Sequence, residues 1–453
     1  MFGGSVFTKR ISDLLQDVKK VGFLGFGKSN RALHDYLSRH FKLDFVIRDE
    51  RSVLKDAPSS CALLLGERCF EPASEDIVFL SPSVRRERAK ISKLCACGAS
   101  LSSDAELFFK TEPENVIAVT GSDGKSTTSS LAASMLSASG IKARAVGNFG
   151  VPMTPLSEDK DTFFVAELSS FMLRYMKPSS RRALITNVTP NHLNWHASFE
   201  EYAKTKLNVL ANTDEAVMNF DCYISRSALS PTHPYAVFSA EIPFSELKSS
   251  VSSEVYFTLE DGFLSRNGIP LLSCGEIAPV GLHNVKNALA ALALTDGIAD
   301  TDAAVGALRS FRALAHRCEL VGEHCGLKYY DSSIDSTPER TRVTLGAFDR
   351  PVTVILGGRD KGLSYEPLLD ALRGGAAAAV IFGENRDALY EFLTRGSLPC
   401  PVFLAEDMDE AVDAASGLGH DVLLSPGATS YDRYSNFEEK GHDFARAVKN
   451  LRK

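Results

Sequence analysis

The stretch that most limits what this chain can become is Val116-Ile-Ala-Val-Thr-Gly-Ser-Asp-Gly-Lys-Ser-Thr-Thr128. Four apolar, mostly β-branched residues, Val116 to Val119, predict a buried parallel strand. Thr120 to Gly124 supplies a small-residue turn. From Lys125 the pattern becomes helical, with Leu131, Met135 and Leu136 on one side. Strand, Gly-containing loop, Lys-Ser and helix together make a phosphate cradle, in which loop N–H groups and a helix N-terminus face a polyanion. Lys125 is placed to reach the outer phosphates and the Ser126 hydroxyl to hold Mg²⁺. The Gly that opens the common form of this motif is Val119 here, so what stands is Thr120-Gly-Ser-Asp-Gly-Lys-Ser-Thr127. The competing reading is an ordinary β-turn-α junction. The fall of Gly-Lys-Ser at the predicted helix start favours the cradle.

The chain has 453 residues, a length that predicts about three domains. A net charge of −7 weighs against nucleic acid as the main partner. No apolar run approaches the roughly 18 residues of a membrane-spanning helix. The first ten residues lack the apolar core of a secretion signal, so the expected location is the cytoplasm. Nine scattered cysteines, with Cys95-Ala-Cys97 lacking a second pair at zinc-finger spacing, read as reduced thiols.

The expected fold class is α/β in three domains: Rossmann-like over 1–108, a P-loop-type ATPase sheet over 109–312, and Rossmann-like again over 313–453. In the first, Lys20 to Leu24 reads as a strand running into Gly25-Phe-Gly27 and a helix from Lys28-Ser29. A second strand, Leu43 to Ile47, ends in Arg48-Asp-Glu-Arg51. That layout suits nucleotide binding, although the third Gly of the full fingerprint is missing and a plain α/β turn has the same form. The strand from Ile77 ends in Ser81-Pro-Ser83. In the central region Ala145 to Gly150 reads as a turn containing Asn148. The strand from Phe163 delivers Glu167, a natural Mg²⁺ ligand beside a phosphate loop. Another strand, Ala183 to Thr189, runs into a loop with His192 and His196, His192 being the metal or phosphate candidate and His196 a structural one. Lys204 and Lys206 follow on a helix. Asn284 and Asn287 lie near the start of an apolar helix and could bind a base or cap the helix. In the last region Tyr329 to Pro338 is a polar loop after a short strand. The strand from Val352 empties into Gly357-Gly358 and Lys361, and Val422 to Ser430 ends in backbone donors suited to a carboxylate.

Taken together, the segments Thr120–Thr127, Glu167-Leu-Ser-Ser170, Asn187-Val-Thr-Pro-Asn-His192, Gly281-Leu-His-Asn284, His316-Arg317 and Gly357-Gly358 resemble the Mur ligase family, in family order and over essentially the whole chain. Leu24-Gly-Phe-Gly-Lys-Ser29, Glu167-Leu-Ser-Ser-Phe171 and Leu424-Ser-Pro-Gly-Ala-Thr-Ser-Tyr-Asp432 with Asn436-Phe-Glu438 are most similar to its D-glutamate-adding branch. The resemblance implies ATP-dependent ligation of D-glutamate to UDP-N-acetylmuramoyl-L-alanine through an acyl phosphate, a step of cell-wall precursor synthesis tied to cell shape and division. It implies ATP and Mg²⁺ as cofactors and small-molecule substrates only, with no nucleic acid or membrane partner and a monomeric enzyme. It assigns catalysis to Lys125, Asn148, His192 and Lys206, and ATP binding to Gly121, Ser122, Asp123, Gly124, Lys125, Ser126, Thr127, Asn284, Asn287, His316 and Arg317. The metal ligands are Ser126, Glu167, His192 and Lys206 once carbamylated, Lys206 fitting the family's Ala-Lys pattern better than Lys204. Gly25, Lys28, Ser29, Asp49, Arg51 and Ser81 match contacts to the UDP substrate, and Ser336, Lys361, Ser430 and Phe437 match contacts to the amino acid. Closure of the last domain on the central one is expected when nucleotide binds.

Two departures concern amino-acid binding: Ile334 stands where the family has a lysine, and Ser336 where it has a threonine. The alternatives are another ligase of the superfamily, such as a folylpolyglutamate-type enzyme, and a nucleotide-binding protein without ligase chemistry. The Asp-Asn-Pro-Arg motif of the diaminopimelate-adding ligase is absent. A pure switch has no need of a third sheet with its own Gly-Gly and Ser-Pro-Gly-Ala-Thr-Ser edge.

Overall fold

The computed structural model describes residues 6–451, apart from 56, 149–151, 154–160, 193–194, 231, 278–280 and 312–313. Its strands gather into three sheets. The first runs Ala62–Leu65, Asp44–Asp49, Lys20–Leu24, Ile77–Leu80, Ser100–Ser102, and every pairing is parallel. Its three central strands are buried toward their C-terminal ends, as covering on both faces requires.

The central sheet has nine strands, in the order Ile269–Ser273, Phe263–Arg266, Val255–Glu260, Ala236–Ser239, Asn212–Asn219, Ser179–Ile185, Val116–Thr120, Phe163–Glu167, Ala143–Gly147. Val116–Thr120 is buried at every residue and sits between two parallel neighbours, with Val119 opposite Glu167 and Thr120 opposite Ile185. Its C-terminal end is therefore flanked by two further strand ends. In an open α/β sheet that edge is where ligands bind. Ala143–Gly147 is an edge strand, where the sequence reading has a turn from Ala145. Of the turn read over Ala145 to Gly150, Phe149 and Gly150 lie outside the described residues, and Asn148 is tied back by its N–H to the Glu167 carbonyl at 3.0 Å.

The far end of this sheet is antiparallel, which the sequence reading did not single out. Two tight hairpin links make it so, Asp261-Gly262 and Asn267-Gly268, all four residues having positive φ. That is the mirror-image turn that matches strand twist.

The third sheet runs Glu319–His324, Leu327–Asp331, Val422–Leu424, Val352–Leu356, Ala376–Ile381, Val402–Leu404. The first pair is antiparallel across Cys325-Gly326 and the rest are parallel. The chain divides into two compact units. One is Met1–Cys274 with Val285–Arg309, carrying the first two sheets; the other is Gly275–Asn284 with Ser310–Lys453, carrying the third. The nine cysteines are all free. Among the described residues no helix is long and apolar enough to cross a membrane.

Candidate active site

The helix Lys125–Ala138 begins directly after the phosphate-loop candidate and buries Leu131, Met135 and Leu136 against the central sheet. The loop itself is over-determined. Ser122 donates its N–H to the Asn187 carbonyl (2.9 Å) and its hydroxyl to the Thr189 carbonyl (3.0 Å), and accepts from the Thr189 N–H (2.9 Å). Asp123 donates its N–H to Asn187 Oδ1 (2.9 Å), and its carbonyl accepts from the Thr186 hydroxyl (2.6 Å). Gly121 (φ +154°) lies so close to the Thr186 hydroxyl that a Cβ would overlap it. Gly124 (φ +78°) is crowded in the same way by Asn287 Oδ1. These contacts fix the backbone while the first-turn amides of the helix lie ahead of any intrahelical acceptor. Ser122, expected to contact nucleotide, has its hydroxyl and N–H committed inside the protein, while Asp123 is exposed.

Two charged side chains are buried beside this loop. Glu167 is 2% exposed. Its Oε1 accepts from Asn148 Nδ2 at 2.8 Å, and its Oε2 is buried with no hydrogen-bond partner among the described residues. A carboxylate oxygen left so is costly unless a cation or donor completes it. Lys206 is 1% exposed. Its Nζ donates to the Gly121 carbonyl at 2.7 Å and stands 4.5 Å from the centre of the Tyr202 ring. Burial, with Lys125 adding to it against the pull of Asp123 and Glu167, brings its pKa down to about 6. Lys204, two residues away, is exposed. Lys125 donates from Nζ to the Ser122 carbonyl at 2.7 Å, and Ser126 is buried at the helix start.

His192 is exposed, has φ +54°, and packs its ring 4.9 Å from that of Phe171. Leu193 and Asn194 of its loop lie outside the described residues. His196 is buried, with Nε2 3.0 Å from Ser170 Oγ. Burial, then Arg174, His192, Lys206 and Arg85, push it down to about 4, so it is neutral.

Tyr202 was not singled out by the sequence reading. Its hydroxyl hydrogen-bonds with Ser122 Oγ at 2.9 Å. The available signal was spacing: it precedes Lys206 by four residues, one helical turn.

The first sheet contributes a second cluster. Gly25 (φ +80°) abuts Ser81, whose Cβ would be 2.9 Å from one on Gly25. Asp49 is buried. Desolvation opposes its charge, but hydrogen bonds from Arg51 and from the Phe26 and Arg51 N–H groups outweigh that and hold it at about 2. Both Asp49 oxygens are thus engaged internally. Lys28 is exposed and Ser29 half-buried at the start of the helix Lys28–His40. Trp195 Nε1 donates to the Ser83 carbonyl (3.3 Å) and Arg174 pairs with Glu87, which fastens this loop to the central sheet.

In the second unit Lys361 Nζ donates to Ser336 Oγ at 3.1 Å, so two of the four amino-acid candidates meet. Ser430 is buried, and Phe437 opens the helix Phe437–Asn450, capped by Asn436. His316 (φ +64°) pairs through Nδ1 with Asp331 Oδ2 at 2.6 Å, which raises the histidine's pKa. Glu319 accepts from the His316 N–H at 2.8 Å. Ligand atoms of these three residues lie within 4.8 Å of one another, but the set satisfies itself and holds the His316 ring in place. Asp331 is the second residue the sequence reading passed over. Arg317 is half-buried. Asn284 is buried, with Nδ2 near His283 Nε2 (3.0 Å), while Asn287 faces Gly124 and Thr128 in the first unit.

Residues 119–295 match the Mur ligase middle domain. A UDP-N-acetylmuramoylalanine–D-glutamate ligase of Clostridium botulinum is 32% identical over 454 residues, covering 96% of this chain and 97% of its own. One of Clostridium tetani is 32% identical with the same coverage. Among solved structures, the UDP-N-acetylmuramate-alanine ligase MurC of Thermotoga maritima superposes with a TM-score of 0.64 at 19% identity, covering 95% of this chain and 99% of its own. Mycobacterium tuberculosis folylpolyglutamate synthase reaches 0.53 at 14%, covering 75% and 92%. The structural likenesses show the fold, and the full-length identity to the clostridial proteins places the sequence: the chain belongs to the Mur ligase family.

Proposed function

We propose that the chain joins D-glutamate to UDP-N-acetylmuramoyl-L-alanine at the expense of ATP, through an acyl phosphate, in peptidoglycan precursor synthesis. The observation that carries the reading is the convergence at one sheet edge of the Gly121–Ser126 loop, a buried Glu167 with an unpaired oxygen, and a buried neutral Lys206. Residues 1–108 hold the UDP substrate, 109–312 the ATP and 313–453 the amino acid. The enzyme acts in the cytoplasm as a monomer on small molecules alone.

In this reading the loop amides and Lys125 stabilise charge on the transferred phosphoryl group. Asn148 orients the substrate carboxylate as it attacks the γ-phosphate. The D-glutamate amine then attacks the acyl carbon, and phosphate leaves from a tetrahedral intermediate. Asn284, Asn287, His316 and Arg317 hold adenine and ribose. Ser336, Lys361, Ser430 and Phe437 hold D-glutamate. Gly25, Lys28, Ser29, Asp49, Arg51 and Ser81 hold the uridine diphosphate, Asp49 by fixing Arg51 and the Phe26 amide. Mg²⁺ fits the donors: the spare Glu167 oxygen, the Ser126 hydroxyl, His192, and Lys206 as a carbamate, which a neutral amine forms with CO₂. When bound, the ion would neutralise phosphate charge.

The test is phosphate release from ATP with UDP-N-acetylmuramoyl-L-alanine, comparing D-glutamate with L-glutamate, meso-diaminopimelate and L-lysine. Release that needs the UDP substrate, D-glutamate and Lys125 supports the reading. Release with another amino acid moves the specificity, with Ile334 and Ser336 the first residues to examine. No release with any of them refutes it.

A further inference from the structure

Lys440 lies on the helix Phe437–Asn450, one turn after Phe437, and is 0% exposed. A buried ammonium is expensive unless it is satisfied. Its Nζ donates to the Gly357 carbonyl at 2.6 Å and lies 5.0 Å from the centre of the Phe382 ring and 5.9 Å from that of Tyr434. Burial draws its pKa down to about 8, so at neutral pH it keeps the proton it donates.

The carbonyl it holds is a junction. Gly357 follows the strand Val352–Leu356 and donates its N–H to the Pro426 carbonyl (2.8 Å). Gly358 is clamped by Asn385 Oδ1 on its N–H (2.9 Å), and a Cβ there would come within 3.1 Å of Lys440 Nζ. Arg359 and Thr429 exchange backbone hydrogen bonds at 2.8 and 3.0 Å. Lys361 is two residues beyond Arg359, and Ser430 is next to Thr429. Three candidate amino-acid contacts thus leave from segments that meet at one buried ammonium: Lys361 and Ser430 from the two bridged loops, Phe437 from the helix of Lys440 itself.

We propose that Lys440 is a positioning residue for the amino-acid site, setting the spacing of Lys361, Ser430 and Phe437 through its bond to Gly357. The proposal rests on reading those three residues as the amino-acid contacts. Removing a charged hydrogen bond of this kind has an effect on the order of 10- to 100-fold where binding depends on it.

The experiment uses Lys440→Met and Lys440→Arg in the full chain, with thermal unfolding to confirm folding. Two reactions are compared. One is the complete ligation, giving KM for D-glutamate and for ATP. The other replaces D-glutamate by hydroxylamine, which attacks the acyl phosphate to give a hydroxamate and phosphate and needs no amino-acid site. The expected result for Lys440→Met is a rise in KM for D-glutamate of about tenfold or more, with KM for ATP and the hydroxamate rate within about twofold of the parent. An equal fall in both reactions, or an unchanged KM for D-glutamate, would overturn the proposal. If Lys440→Met does not fold, Lys440→Arg decides by the same criterion, since it keeps a buried donor but moves it. Failure of the parent chain to form hydroxamate would count against the ligase reading itself, a separate result.

Discussion

Replacing Lys206 by methionine should sharply reduce activity while making the protein more stable, a combination few active-site residues give. Lys206 is 1% exposed and its pKa falls from 10.5 to about 6, chiefly through burial. At pH 7.5 about thirty of these amines are neutral for each charged one, whereas the unfolded chain holds the proton until about pH 10.5. Folding at pH 7.5 therefore expels a proton against about 4 kcal/mol. The bond to the Gly121 carbonyl returns about 1 kcal/mol. Methionine, similar in length and with no charge to desolvate, should leave the variant more stable by roughly 2–3 kcal/mol at pH 7.5 in bicarbonate-free buffer. The sign with pH follows. Between about 6 and 10.5 the unfolded state binds one more proton than the native state, so parent stability rises with pH and the gap to Lys206→Met closes. Denaturant unfolding at several pH values measures this. Activity should fall about a hundredfold or more. In ¹³C-bicarbonate the parent and Lys204→Met should show a carbamate carbon by NMR that Lys206→Met lacks. A variant that keeps activity, or is less stable with no pH dependence of the difference, would refute the reasoning.

His196, neutral and pushed down to about 4, should make the parent lose stability as pH falls from about 6.5 to 4, because the unfolded state takes up a proton that the native state refuses. His196→Asn should flatten acid unfolding curves by up to about 3 kcal/mol across that window. Gly441→Ala should destabilise by about 2 kcal/mol in thermal unfolding, despite alanine's better helix propensity. A Cβ there would collide with His316 Nδ1 and Asp331 Oδ2 and lie 2.7 Å from Ser333 Oγ. Glu167→Gln keeps an acceptor for Asn148 but removes the charge. It should raise the Mg²⁺ concentration needed for half-maximal activity about tenfold or more, read from a Mg²⁺ titration, without lowering the unfolding temperature in metal-free buffer, since it removes a buried, half-satisfied charge.

What the sequence disclosed was the chemistry carried on strand ends. Val116–Val119 announced itself as a buried parallel strand by composition, and Gly-Lys-Ser marked the helix start, because these signals are local. Glu167 was legible for the same reason: it ends a wholly apolar run. What stayed hidden was set by tertiary approach. Tyr202 and Asp331 gain their roles from partners 80 and 15 residues away, Ser122 and His316. Lys206 and Lys204 look alike until burial separates them. Ala145 to Gly147 reads as a turn because its glycine and polar neighbours mimic one, whereas pairing with Phe163–Glu167 makes it a strand. The antiparallel hairpins were within reach, since Asp-Gly and Asn-Gly between short alternating runs are among the strongest local signals. They lie far from the phosphate loop and drew no functional reading.

The measurement that bears most directly on the central claim follows oxygen. UDP-N-acetylmuramoyl-L-alanine labelled with ¹⁸O in its free carboxylate is turned over with ATP and D-glutamate, and the released phosphate is analysed by mass spectrometry. An acyl phosphate route predicts one carboxylate ¹⁸O in each phosphate released. Phosphate without label, formed while the amide product accumulates, would contradict it.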